Sequence, residues 1–176
     1  MNKESKRLAM LSAPIIILGI VLDQVSKWLC VKYLKPKGSI PFIPKLINLT
    51  YCENTGAAFS MFSAPNQRWI FMVISTIAIA LMIYMLYSFK EKKYTLMVIG
   101  LSMMISGGVG NMIDRFRLGY VVDMIDVSPL FSFAIFNVAD CFVCVGAGVM
   151  LLAFILLWKK EIEEQKNQSN PTSEEQ

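Results

Sequence analysis

Four long apolar blocks, residues 8–34, 69–89, 94–113 and 139–158, alternate with polar stretches along the chain. A helix needs about 20 mostly apolar residues to cross the hydrocarbon of a bilayer, so each block predicts a membrane span. Between the first two lies a polar segment, 35–67, whose four prolines forbid a long helix. Within it, 46–51 has the composition of a short strand. The second polar segment, 114–137, carries β-branched and apolar residues over 120–127. Ser128-Pro129 follows as a turn signal, and 131–136 reads as another strand. Strand character in both segments predicts a small sheet on one side of the helices. The fold class expected is an all-α membrane bundle of four transmembrane helices with a small extracytoplasmic β platform. Residues 1–158 form a single domain, and the charged, apolar-poor tail 159–176 is read as disordered.

Composition supports the membrane reading. The 176 residues are 55% hydrophobic, and the mean hydropathy is +0.52, above what a soluble domain of this length carries. The basic start and apolar run resemble a signal peptide, but the run is too long and no small-residue cleavage site follows it. The net charge of +4 is spread along the chain, which argues against a nucleic-acid surface. There is no histidine, which excludes a histidine-bound zinc, a Ser-His-Asp triad and a Cys-His pair. The four cysteines give no disulfide framework. Cys141-x-x-Cys144 lacks a second half and reads as small residues on a helix face.

Four spans put both termini on one side. Basic residues nearest the span ends, among them Arg7, Lys92, Lys93 and Lys159, favour a cytoplasmic location for that side. Asp23, Asn54, Asn111, Asp123 and Asp140 then share the outer end. Asp23 and Lys27 are four apart on one helix face. They read as an ion pair at the membrane edge, as support for a site, or as both. Asn54 and Gly56 fit a tight turn, or Asn54 is a side-chain donor toward a substrate. Gly107, Gly108 and Gly110 permit close helix approach or local unwinding, and packing alone accounts for them. Asn137 and Asp140 open the last span, where a cap is the ordinary reading. The sharper reading joins Asp123 to Asp140. Two carboxylates brought together in a low dielectric share one proton, and the pair can then activate water and polarise a carbonyl.

Five segments carry a resemblance. They are Asp23-Gln24-Val25-Ser26-Lys27, Asn54-Thr55-Gly56-Ala57-Ala58-Phe59-Ser60, Gly107-Gly108-Val109-Gly110-Asn111-Met112-Ile113-Asp114-Arg115, Val121-Val122-Asp123-Met124-Ile125-Asp126 and Phe136-Asn137-Val138-Ala139-Asp140. In this order, among four spans, the chain resembles the lipoprotein signal peptidases (signal peptidase II) of bacteria. The resemblance implies a membrane aspartic endopeptidase with Asp123 and Asp140 as its catalytic pair. Asp23, Lys27, Asn54, Gly56, Gly108, Asn111, Arg115, Asn137 and Ala139 match the motif positions that line or brace the pocket. The substrate implied is a diacylglyceryl-modified prolipoprotein, cut just before its lipidated cysteine. No cofactor, metal or nucleic acid is expected, and a monomer in the cell membrane is. A proton-coupled transporter would want its carboxylates at mid-span, whereas here they fall at span ends. A non-catalytic membrane subunit would use the same acids as ion pairs and caps. An intramembrane peptidase with a Gly-x-Gly-Asp motif is disfavoured because Asn111 follows Gly110.

Overall fold

The computed structural model describes residues 3–56, 67–89 and 91–169. Four helices dominate it: α1 (Lys3–Tyr33), α2 (Gln67–Ser88), α3 (Thr95–Arg117) and α4 (Val138–Ser169). All four are long and apolar enough to cross a membrane. Three strands, β1 (Ser39–Ile43), β2 (Ile47–Asn54) and β3 (Val121–Asp126), form one antiparallel sheet in the order β1-β2-β3.

Connectivity places the sheet at one end of the bundle. The C-terminal ends of α1 and α3 and the N-terminal ends of α2 and α4 all open there, and the described chain ends lie at the other. At that other end α2 and α3 are joined by a short link, where Phe89 stacks on Tyr94 at 4.9 Å. Helix α3 is central, packing against α1, α2 and α4, and it alone has half of its apolar window buried. The lipid-facing surfaces of α2 and α4 stay exposed, which is how an apolar helix behaves when its solvent is hydrocarbon.

The sheet is tied to the end of α1. Val122 and Met124 of β3 pack on Cys30 and Leu34, with Ile40, Leu49 and Tyr51 against them. Side chains alternate across a strand, so Asp123, between Val122 and Met124, points to the opposite face, toward the helices.

Several elements differ from what hydropathy implies. β1 contains Pro41 and so carries no strand signal, yet as an edge strand it tolerates a residue without an N–H. Residues 131–136 form no strand. Phe136 alone bridges Ile125. Helix α3 runs past residue 113 and takes in Asp114 and Arg115. Helix α4 continues through the charged residues 159–169 instead of ending at 158, and Lys160 and Glu164 pair one turn apart. Lys90, the 57–60 part of the second motif and the last seven residues of the tail lie outside the described residues.

Candidate active site

Asn137 is the N-cap of α4, and Asp140 is its third helical residue. The Asp140 backbone N–H donates to Asn137 Oδ1 (2.9 Å), and the Asn137 N–H donates to Asp140 Oδ2 (3.1 Å). This reciprocal pair is a capping box. The cap expected from the sequence is therefore present, and it leaves Asp140 Oδ1 facing the bundle. That oxygen accepts from Asn111 Nδ2 of α3 at 2.8 Å.

Asp123 is 1% exposed. Its Oδ1 accepts from Asn137 Nδ2 at 2.6 Å and its Oδ2 from Asn54 Nδ2 at 2.9 Å. One asparagine, Asn137, thus holds both acids, Asp123 through its side chain and Asp140 through its backbone. Burial pushes the Asp123 carboxyl up to about 6; the two amide donors oppose the rise and the charge of Asp140 adds to it. Asp126, three residues along the same strand, behaves differently. Ser128 and Thr50 donate to it, and those bonds, with Ser128 the larger, hold its carboxyl below the ordinary value. It secures the turn out of β3.

Lys27 lies beside the pair. Its side chain is 4% exposed, so it does not reach back to water. Nζ contacts Asp23 Oδ2 (2.9 Å), Asp114 Oδ2 (3.2 Å) and Asn111 Oδ1 (2.9 Å), which uses all three ammonium hydrogens. Asn111 Oδ1 also accepts from Asn137 Nδ2 at 3.0 Å. A cation and an amide hydrogen both demand oxygen at that position, so Asn111 must turn its NH2 toward Asp140. Asp23 closes the circuit to α4 by accepting the Ala139 N–H at 3.0 Å. Asp114 accepts the Val122 N–H at 3.0 Å, holding β3 next to Asp123. Gln24 Nε2 donates to both Asp23 and Asp114.

The remaining positions fall in two places. Asn54 serves both roles open to it, since Gly56 N–H donates to its Oδ1 at 2.8 Å while its NH2 holds Asp123. Gly56 has φ +93°, and a Cβ there would sit 2.5 Å from the Phe71 ring. Arg115 lies over the other side of this neighbourhood, 5.6 Å from the Phe71 ring centre. Gly108 turns away from the acids and abuts Ile79 of α2. Ala139 is fully buried, and its carbonyl lies where a Cβ on Gly107 would be. Gly107 and Gly110 let α3 approach its neighbours beside the acids, a Cβ on Gly110 meeting Asp23 Oδ2 at 2.5 Å.

Asp114, Gln24 and Phe71 are site residues that sequence reasoning did not single out. Asp114 had a legible signal: Gly107, Gly110, Asn111 and Asp114 fall at i, i+3, i+4 and i+7, one helical face. Among the described residues no three His, Cys, Asp or Glu side chains gather to hold a metal ion.

The arrangement matches proteins of known type. The model of the signal peptidase (SPase) II family fits residues 15–156. A lipoprotein signal peptidase of Streptococcus agalactiae serotype Ia is 44% identical over 155 residues, covering 88% of this chain and 96% of that protein. One from Streptococcus pyogenes serotype M2 is 44% identical over 160 residues, covering 89% and 96%. A bacterial membrane enzyme solved by the in meso method at 1.9 Å superimposes with a TM-score of 0.72 at 30% identity, covering 82% of this chain and 92% of that one. A second, at 2.3 Å, gives 0.71 at 28% identity and covers 94% of each. With most of its length matched, the chain belongs to the signal peptidase (SPase) II family.

Proposed function

We propose that Asp123 and Asp140 are the catalytic pair of this membrane aspartic endopeptidase. It removes the signal peptide from prolipoproteins whose cysteine carries a diacylglyceryl group, cutting just before that cysteine. The observation that carries the reading is the shared amide scaffold. Asn137 donates to Asp123 through Nδ2 and to Asp140 through its backbone N–H. Asn111 completes the link to Asp140.

The chemistry follows from one proton on two acids. Asp123, lifted to about 6, carries that proton and donates a hydrogen bond to the carbonyl oxygen of the scissile peptide. Asp140 takes a proton from water as the water oxygen bonds to the carbonyl carbon. The tetrahedral species then collapses. The C–N bond breaks as Asp140 passes the proton it took from water to the leaving nitrogen, the amine of the lipidated cysteine, and no covalent enzyme intermediate forms. Asn54, Asn111 and Asn137 orient the acids without adding charge. Lys27 supplies the fixed positive charge that sets the Asn111 amide.

The termini face the cytoplasm in this reading, because the basic residues closest to the span ends lie on their side. The sheet and both aspartates then face outward, at the leaflet where a lipidated, already exported substrate is held.

The test is cleavage of one prolipoprotein with and without its diacylglyceryl group, by the purified protein and by Asp123→Asn and Asp140→Asn. The expected result is cleavage of the lipidated form alone, lost in both folded variants. Full cleavage by either variant removes that residue from the pair.

A further inference from the structure

The loop between β3 and α4 has an unusual composition. From Val127 to Ala139 it carries no charged residue. Its large side chains are mostly exposed: Leu130 55%, Phe131 58% and Phe133 59%. They are organised, with Phe131 edge-on to Phe133 at 5.9 Å and Phe133 edge-on to Phe136 at 6.0 Å. A loop standing in water is normally built from polar and turn residues. Three aromatic rings in contact, two of them more than half exposed, need another neighbour.

The neighbour is indicated by what adjoins the loop. Phe136 is two residues from Val138, where a membrane-spanning helix starts. Phe133 is five residues from Val138, so even a fully extended chain keeps it within about 17 Å of the span. The same end of the bundle carries the features of a membrane–water boundary. Trp69 opens α2 with 61% exposure. Lys32 of α1 lies over the rings of Trp28 and Tyr33. Phe116 is exposed near the end of α3. The loop therefore continues an apolar surface that already faces lipid.

We propose that Phe131 and Phe133 form an interfacial anchor, inserted at the boundary between headgroups and acyl chains of the bilayer that holds the helices. Its occupant is the lipid surface itself. The anchor is coupled to the candidate acids on both sides. The Phe136 carbonyl accepts from Met124 N–H (3.0 Å) and Ile125 N–H (2.7 Å), directly after Asp123, and its own N–H donates to the Ile125 carbonyl. The next residue is Asn137, which holds Asp123 and caps Asp140. The loop thus sets the height of the acids above the hydrocarbon. Because it carries no charge, its insertion is independent of salt and of anionic lipid.

The test uses the full chain with Trp28, Trp69 and Trp158 replaced by Phe, and a single tryptophan introduced by Phe131→Trp or, separately, Phe133→Trp. Each protein is placed in phosphatidylcholine nanodiscs. Emission quenched by lipids brominated high on the acyl chain, and little affected by acrylamide or added salt, is the expected result. Quenching by acrylamide alone overturns the proposal, and so does indifference to both quenchers, which a protein partner over the loop would give. A second measurement rests on the peptidase reading, whereas the quenching does not. Phe131→Ser with Phe133→Ser raises KM for the lipidated substrate severalfold in nanodiscs, keeps kcat, and leaves cleavage in detergent nearly unchanged. Equal losses in both media would make the rings mere packing and sink the idea.

Discussion

Two pairs of aspartates lie in one network and are held in opposite ways. Asp23 and Asp114 share the buried ammonium of Lys27. Among the described residues, Asp123 and Asp140 are hydrogen-bonded by amide groups, from Asn54, Asn111, Asn137 and the backbone of Asn137, while the Arg115 charge acts on them from further off. A carboxylate paired with a buried cation serves as a fixed strut. A carboxylate held by neutral donors keeps its position while its proton stays exchangeable. The same side chain is thus committed to structure or left available for proton transfer by its partner alone.

The comparison breaks first if the amide-held pair can be neutralised without consequence. Asp123→Asn and Asp140→Asn each keep the size of the side chain but remove the proton chemistry, so cleavage should fall by ~10²–10⁴-fold, with a smaller loss of stability because one amide NH2 then faces a donor. The cation-held pair should answer in the reverse sense. Lys27→Met leaves two buried carboxylates without their cation, at a cost of roughly 3–5 kcal/mol, read as a lower thermal midpoint in detergent, with a smaller loss of turnover per folded molecule because the Asn111 amide loses the charge that sets it.

Acidity sharpens the contrast. The Asp123 carboxyl is raised from 3.8 to about 6, so between these values the native protein holds a proton that the unfolded chain has released. Its contribution to stability is present in full below pH 3.8 and is lost as pH rises through about 6, at up to ~1.4 kcal/mol per pH unit. The same ionisation puts the alkaline limb of kcat/KM near 6, and Asp123→Asn should abolish the stability slope. Packing gives the smallest effects. Gly107→Ala drives a methyl into the Ala139 carbonyl and should cost about 1–3 kcal/mol, with activity falling as α4 is pushed off α3. Gly148→Ala meets nothing within 4 Å and should be neutral or stabilising by about 0.5–1 kcal/mol.

Hydropathy makes the helices legible because lipid demands long apolar runs, and β2 and β3 show through their β-branched residues. β1 is hidden because Pro41 argues against a strand, and only its edge position permits it. The run 131–136 misleads in the other direction, its aromatic residues belonging to an exposed loop. Asp123 and Asp140 are visible as acids at span boundaries. Their connection is not, because it passes through Asn111, Asn137 and Lys27, residues up to 110 positions apart. Asp114 is missed because a polar residue at a hydropathy edge looks like the start of a loop, when its negative charge is matched inside the bundle by Lys27.

The hydrogen bond from the Ala139 N–H to Asp23 joins the first helix to be synthesised to the last. Asn111 and Asp123 emerge between them, and their contacts to Asp140 and Asn137 cannot form until α4 has entered the bundle. A nascent or truncated chain lacking α4 therefore has one acid, no partner for it, and no Asn137 to hold it. With the proposed pair as the catalytic acids, hydrolytic competence arises only once α4 is in place, which would keep an unfinished peptidase from cutting the neighbouring exported chains among which it is being inserted.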